Sequence, residues 1–113
     1  MKGCDLMLDK YINKLAELSD SAILTPYNLL ENLHLDNYVS VNFCKKNEYI
    51  VADIVFLDHN EEIKFRYVFD VNNFLQKIYH VNGNDLIEHF NRAKERKELI
   101  SQLRSKHTFK KCI

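Results

Sequence analysis

Residues 38–70, YVSVNFCKKNEYIVADIVFLDHNEEIKFRYVFD, carry the strongest structural signal in the chain. Apolar and polar side chains alternate in three runs, 38–44, 49–57 and 63–70, with the period of β-strands that bury one face. Short polar stretches separate the runs, as hairpin turns require. The pattern predicts three antiparallel strands.

The register of these strands follows from the positions of the two turns. Tips at Lys46-Asn47 and at His59-Asn60 both place the same side chains of the middle strand on the inner face. A slip of one residue would expose that whole set, so the agreement favours a three-stranded meander. In this register Asp53 lies opposite Arg66 on the outer face, with Lys64 two residues along.

Helices are predicted before the strands. Residues 5–18 repeat apolar side chains at three- and four-residue steps, which indicates an amphipathic helix that Asp5 can cap. Thr25-Pro26 is typical of the start of a second, shorter helix. Its apolar side chains, Tyr27, Leu30 and Leu33, are expected on one side.

The segments after the meander complete the prediction. Residues 74–81 fit either a fourth strand or a short helix, and the turn signal around Gly83 favours the strand. A helix is predicted over 85–105, since Asp85 and Glu88 match a capping box. Its first half is expected to dock on the sheet, and 106–113 to form a basic, flexible tail.

The predicted fold class is therefore α+β. Residues 1–113 are expected to form a single domain with two N-terminal helices, a three- to four-stranded antiparallel β-meander and a long C-terminal helix packed on the sheet.

Composition indicates a small soluble protein of the cytoplasm. Of the 113 residues, 46% are apolar and 28% charged, as in globular domains. No run of 18 apolar residues and no signal peptide is recognised, so no membrane partner is expected. Three widely spaced cysteines, Cys4, Cys44 and Cys112, are expected to be reduced thiols. The abundance of Asn, Lys and Ile is typical of an AT-rich genome.

No motif for catalysis stands out. The chain has two isolated glycines and no CxxC, HExxH or G-x-S-x-G pattern. The sequence therefore predicts a non-enzymatic protein with no cofactor, no metal and no catalytic residue.

Two weaker patterns leave a small metal-dependent nuclease as an alternative. Asp53 followed by Glu62-Ile63-Lys64 resembles a nuclease pattern in which carboxylates bind Mg²⁺, but cross-strand charge pairs explain it more simply. Asp58-His59-Asn60 with His89 loosely resembles nucleases of the HNH type. Ordinary turn residues are the favoured explanation.

A protein-binding surface is predicted on the outer sheet face, which is rich in tyrosine and apolar side chains for a solvated face. The candidate partner-binding residues, for another protein or for self-association, are Tyr38, Tyr49, Val51, Asp53, Val55, Lys64 and Arg66. The alternative explanation is that a helix of the same chain covers this face.

The charges offer a second binding hypothesis. Residues 1–91 have a net charge of −6 and residues 92–113 a net charge of +6. A basic helix can follow a phosphate backbone, so nucleic-acid binding is the alternative, through Arg92, Lys94, Arg96, Lys97 and Arg104. The leading hypothesis is an inhibitor, immunity-type or regulatory protein that binds the surface of a protein partner.

Overall fold

The computed structural model describes the backbone of residues 2–109 and the side chains of residues 9–105. The α+β class is confirmed. The elements are α1 (Lys2–Asp20), α2 (Pro26–Glu31), a 3₁₀ turn (Asn32–His34), β1 (Tyr38–Lys46), β2 (Tyr49–Asp58), β3 (Glu61–Phe69), β4 (Leu75–Asn82), β5 (Asp85–Asn91) and α3 (Arg92–Phe109). Among the described helices, none has the length and apolar character needed to cross a membrane.

Two compact units make up the chain. The helical unit comprises Met1–Ser21 and Arg92–Ile113, and the sheet unit comprises Ala22–Asn91. The sheet unit contains all five described strands, which pair in sequential order and are antiparallel throughout.

The meander has the predicted faces. Asp58 pairs with Glu61, and His59 and Asn60 form the predicted turn with positive φ angles of 51° and 66°. Such angles are typical of a two-residue hairpin whose twist matches its strands. The first turn lies one residue beyond its predicted position, because Lys46 pairs with Tyr49. That difference changes the pairing by two residues, so the side chains of β2, and those of β1 from Ser40 onward, keep their predicted faces.

The sheet is larger than predicted. The fourth strand is confirmed as Leu75–Asn82 and a long C-terminal helix is present, but its predicted start at residue 85 is wrong. Residues 85–91 form β5, and α3 begins only at Arg92. A two-residue loop joins β4 to β5, and Gly83 adopts a φ of 62°, which glycine does at little cost. Pairing with β4 outweighs the local helix-start signal.

Asp70 organises the turn between β3 and β4. Its Oδ1 accepts hydrogen bonds from the backbone N–H groups of Asn72 at 2.9 Å and Phe74 at 3.0 Å. Its Oδ2 accepts one from Gln76 Nε2 at 2.9 Å. The Asp70 carboxylate thus accepts hydrogen bonds from backbone N–H groups of the turn, where the chain reverses and these groups have no partner on a neighbouring strand.

The core of the sheet unit lies on the inner face of the sheet. The buried members of one cluster are Leu29, Ala52, Ile54, Phe69 and Leu75. Four come from β2, β3 and β4, and Leu29 comes from α2. Tyr67 packs against this cluster, and burial, followed by the proximity of Tyr38, raises the pKa of its phenol.

The start of α2 is confirmed, and its buried side centres on a residue that the sequence analysis did not single out. Thr25 is the N-cap residue, and its N–H donates to Asn28 Oδ1 at 2.8 Å. Only Leu29 of this helix is buried, whereas Tyr27 and Leu30 are exposed. A six-residue helix presents one narrow stripe to its neighbours, and here that stripe centres on Leu29.

The helical unit consists of α1 and α3, which contact each other. Leu18 of α1 and Leu99 of α3 are buried. The first helix begins at Lys2, earlier than predicted, and the side chain of its proposed cap, Asp5, lies outside the described residues. The last helix continues to Phe109, into the predicted tail, and residues 110–113 also lie outside the described part of the chain.

Candidate functional site

The outer face of the sheet presents one polar row across all five strands. Strand pairing aligns Asn42, Asp53, Arg66, Tyr79 and Glu88. Their period-two positions place them opposite the core, as the sequence predicts for Asp53 and Arg66. The row therefore combines amide, carboxylate, guanidinium and phenol groups on one face.

The centre of this row is a bidentate ion pair. Arg66 Nε lies 2.8 Å from Asp53 Oδ1, and Arg66 Nη2 lies 3.2 Å from Oδ2. Lys64 Nζ is more distant, 3.9 Å from Oδ2. The hydrogen bond to Asp53 raises the pKa of the Arg66 guanidinium, so this side chain stays charged at neutral pH. This geometry is that of the cross-strand charge pair, the simpler of the two explanations for Asp53 and Lys64.

The other predicted outer-face residues differ in accessibility. Tyr49 is exposed, Val55 is half-buried and Val51 is buried. Tyr49 and Lys64 are therefore the members most open to a partner.

Tyr38 lies on the opposite face from the one predicted. It pairs with Phe56 of the inner face, and the two rings stack with centroids 6.0 Å apart. Its hydroxyl accepts a hydrogen bond from Asn32 Nδ2 at 3.4 Å. A register shift between Tyr38 and Ser40 explains the difference, since an irregular residue reverses the alternation of faces.

A second surface was not predicted. Large apolar side chains are exposed along the segment that includes α2, the 3₁₀ turn and the start of β1, with 38–65% of their area accessible. This apolar surface consists of Ile23, Tyr27, Leu30, Leu33, Leu35 and Val39. Its elements adjoin, because α2 and β1 each contact the 3₁₀ turn. The sequence signal for it was the apolar spacing of α2, which placed Tyr27, Leu30 and Leu33 on one side of the helix.

Two acidic side chains belong to the same segment as this surface. Glu31 and Asp36 lie within the same segment and are exposed. Residues 22–91 carry 5 Lys and Arg against 10 Asp and Glu, a net charge of −5. The sheet unit therefore attracts cationic molecules at neutral pH.

The basic residues of α3 divide into two groups. Arg92 is buried and its Nη1 donates to the carbonyl oxygen of Leu18, while Arg96 Nε donates to Ser19 Oγ at 3.0 Å. Both contacts join α3 to α1 inside the helical unit. The remaining candidates for phosphate contact, Lys94, Lys97 and Arg104, are exposed.

The hairpin turn of the second nuclease pattern is open to solvent. His59 is almost fully exposed, and its Nδ1 lies 2.9 Å from Asp58 Oδ1. Across the side chains that the structure describes, His, Cys, Asp and Glu do not converge in groups of three or more that could hold a metal ion. Cys44 is a free, exposed thiol, and the other two cysteines lie outside those side chains.

The Asp53–Arg66 pair should have a measurable interaction energy. Their side chains are 25% and 29% exposed, and the two-point geometry of the pair favours it over an ordinary surface ion pair. A double-mutant cycle with Asp53→Ala and Arg66→Ala is expected to give a coupling energy of about 1 kcal/mol in urea unfolding.

The matched control uses the same carboxylate. Lys64 makes only the longer contact with Asp53, and its side chain is 42% exposed. The Asp53–Lys64 cycle is expected to give less than about 0.5 kcal/mol. Equal coupling in the two cycles would contradict the importance of the bidentate geometry.

Comparison with known proteins adds no family assignment. The chain matches no protein-family model, no curated protein and no solved structure.

Proposed function

We propose that this chain is a non-enzymatic protein-binding module, an inhibitor, immunity-type or regulatory protein that occupies a protein partner through its sheet unit. The observation that carries the proposal is the apolar surface. Six large apolar side chains are exposed between residues 23 and 39, on adjoining elements. Clusters of this kind on a folded protein commonly mark a site of association.

The edge of the sheet supports the same location. Among the described strands, β1 pairs with β2 alone, so the backbone of its other side faces away from the sheet. Val39 belongs both to this edge strand and to the apolar surface. A partner can therefore combine apolar contacts with backbone hydrogen bonds to β1, as in strand addition.

Charge indicates the chemistry of the partner. The sheet unit has a net charge of −5, and Glu31 and Asp36 border the apolar surface. Complementary potentials speed association and disfavour wrong partners. We infer a partner that presents apolar side chains ringed by lysine and arginine.

The outer sheet face is a secondary contact region in this proposal. Tyr49 and Lys64 are its accessible members, and Lys64 lies beside the Asp53–Arg66 pair. Val51 is buried and Val55 is half-buried, so both are less accessible to a partner.

The proposal is tested by two charge substitutions at similarly exposed apolar residues. Leu30→Asp places a carboxylate in the apolar surface, and Val71→Asp places one in the β3–β4 turn, where Val71 is also exposed. A partner is isolated from cells of the source with the full-length chain, purified, and titrated calorimetrically against both variants. Leu30→Asp is expected to weaken binding about 30-fold or more, the effect of losing an interface hot spot.

The control should bind within about twofold of the unmodified chain, because Val71 lies outside the proposed contact. Circular dichroism must show that both variants keep the native secondary structure. Equal affinities for the two variants would exclude the apolar surface. Recovery of no partner, together with a monomer at micromolar concentration, would contradict the function itself.

A further inference from the structure

A row of aromatic rings crosses the inner face at the end of the sheet that carries the β2–β3 and β4–β5 turns. Tyr38, Phe56 and Phe65 stack across β1, β2 and β3 with successive centroids 6.0 Å and 5.7 Å apart. The row ends in two histidines. His80 of β4 lies 5.2 Å from the Phe65 centroid, and His89 of β5 lies 5.5 Å from it.

The two imidazoles meet because the strand pairing is irregular. Ile78 pairs with Phe90, and the next residue, Tyr79, pairs with Glu88. His89 is therefore the extra residue of a β-bulge, with no direct partner on β4. A bulge redirects side chains, and here it brings the His89 ring to 6.1 Å from the His80 ring.

The ring nitrogens of this pair are available to a ligand. Within the described side chains, neither imidazole belongs to a hydrogen bond or an ion pair. Their ring contacts are with Phe65 and with each other. His80 is half-buried and His89 is exposed, so solvent reaches the pair. A neutral imidazole has one nitrogen that can donate its lone pair.

We propose that His80 and His89 together bind one divalent transition-metal ion of the Zn²⁺, Ni²⁺ and Cu²⁺ class. Imidazole nitrogen is the ligand these ions share. A metal–nitrogen bond of about 2.1 Å puts the ion about 3.2 Å from each ring centroid, so two rings on one ion have centroids about 5.2 Å apart at a tetrahedral angle and about 6.4 Å apart on opposite sides of the ion. The observed 6.1 Å falls within that span. Water fills the remaining coordination positions.

This site is independent of the proposed protein-binding function. Its ligands come from β4 and β5, whereas the apolar surface involves α2, the 3₁₀ turn and β1. Metal binding would link β5, the last strand of the sheet, to β4. The ion is therefore expected to stabilise the folded chain by an amount that grows with the logarithm of its concentration above the dissociation constant.

The test uses the full-length chain labelled with ¹⁵N and Ni²⁺ alone as the probe. Paramagnetic Ni²⁺ broadens the amide signals near its site, and the expected losses centre on residues 78–82 and 86–90. His80→Phe and His89→Phe retain an aromatic ring at the end of the row but remove the ligand. Each is expected to weaken Ni²⁺ binding about tenfold or more in calorimetric titration.

Two controls separate this site from other ligands. His59→Ala removes an exposed histidine in a turn, and Cys44→Ser removes the exposed thiol. Both should bind Ni²⁺ within about twofold of the unmodified chain. Broadening centred elsewhere, unchanged affinity in both Phe variants, or no binding at about 1 mM Ni²⁺ would overturn the proposal. Well-dispersed amide spectra of the variants verify that they fold.

Discussion

Replacement of Phe69 by alanine is expected to lower the free energy of unfolding by about 3–5 kcal/mol, a large fraction of the stability of a small protein. Phe69 is 0% exposed and belongs to the buried cluster of the sheet unit. It pairs with Ile50 on one side and Leu75 on the other, and its ring stacks on that of Tyr67. Truncation removes apolar contacts and leaves a cavity among side chains from three strands.

The control is another phenylalanine of the same face. Phe43 pairs with Ala52 but lies on the edge strand and is 42% exposed. Phe43→Ala is expected to cost about 1 kcal/mol or less, because much of its surface is already hydrated. Urea unfolding followed by circular dichroism measures both variants. Similar losses would show that the core does not centre on Phe69.

The faces of the central strands could be predicted from sequence because alternation has a period of two. Any error of an even number of residues preserves the face, and the first hairpin illustrates this, since its turn moved without exposing Ala52 or Ile54. The opposition of Asp53 and Arg66 followed from the second turn, which was predicted correctly. The strand faces and the Asp53–Arg66 pairing could be predicted because they depend on side-chain alternation and on turn residues, which are both local in the sequence.

The last strand could not be predicted in the same way. Asp85 and Glu88 carry a valid helix-start signal, which pairing of residues 85–91 with β4 overrides. Such pairing depends on a neighbour whose edge is available, and short sequence patterns do not encode that. The His80–His89 pair could not be predicted for the same reason, because the β4–β5 hairpin and its bulge bring the two rings together.

The sequence pattern also did not predict which apolar side chains are exposed. The apolar spacing of α2 placed Tyr27, Leu30 and Leu33 on one side, but it did not indicate which side chain of the helix is buried. Leu29 is buried, and Tyr27 and Leu30 remain exposed. Tyr38 was misplaced because a single irregular residue in β1 reverses the face of everything before it.

Arg92 presents the sharpest contrast between sequence and structure. The charge pattern assigned it to a nucleic-acid contact, yet its side chain is 6% exposed. Its guanidinium donates to the carbonyl oxygen of Leu18, in the last turn of α1. Carbonyl groups in that turn lack partners within the helix, and a cation there also complements the helix dipole. The residue thus connects two helices.

Arg92→Ala is therefore expected to lower the free energy of unfolding by about 2–3 kcal/mol, since it removes a buried, charge-assisted hydrogen bond and leaves a cavity. Lys97→Ala, an exposed cation of the same helix, should change it by less than about 0.5 kcal/mol. Hydrogen exchange should locate the Arg92 effect in α1 and α3. A buried link between the helices predicts a large loss of stability for Arg92→Ala and no effect on nucleic-acid binding. The phosphate-contact hypothesis would replace this structural role if the two substitutions were equally mild and Arg92→Ala instead reduced salt-dependent DNA or RNA binding.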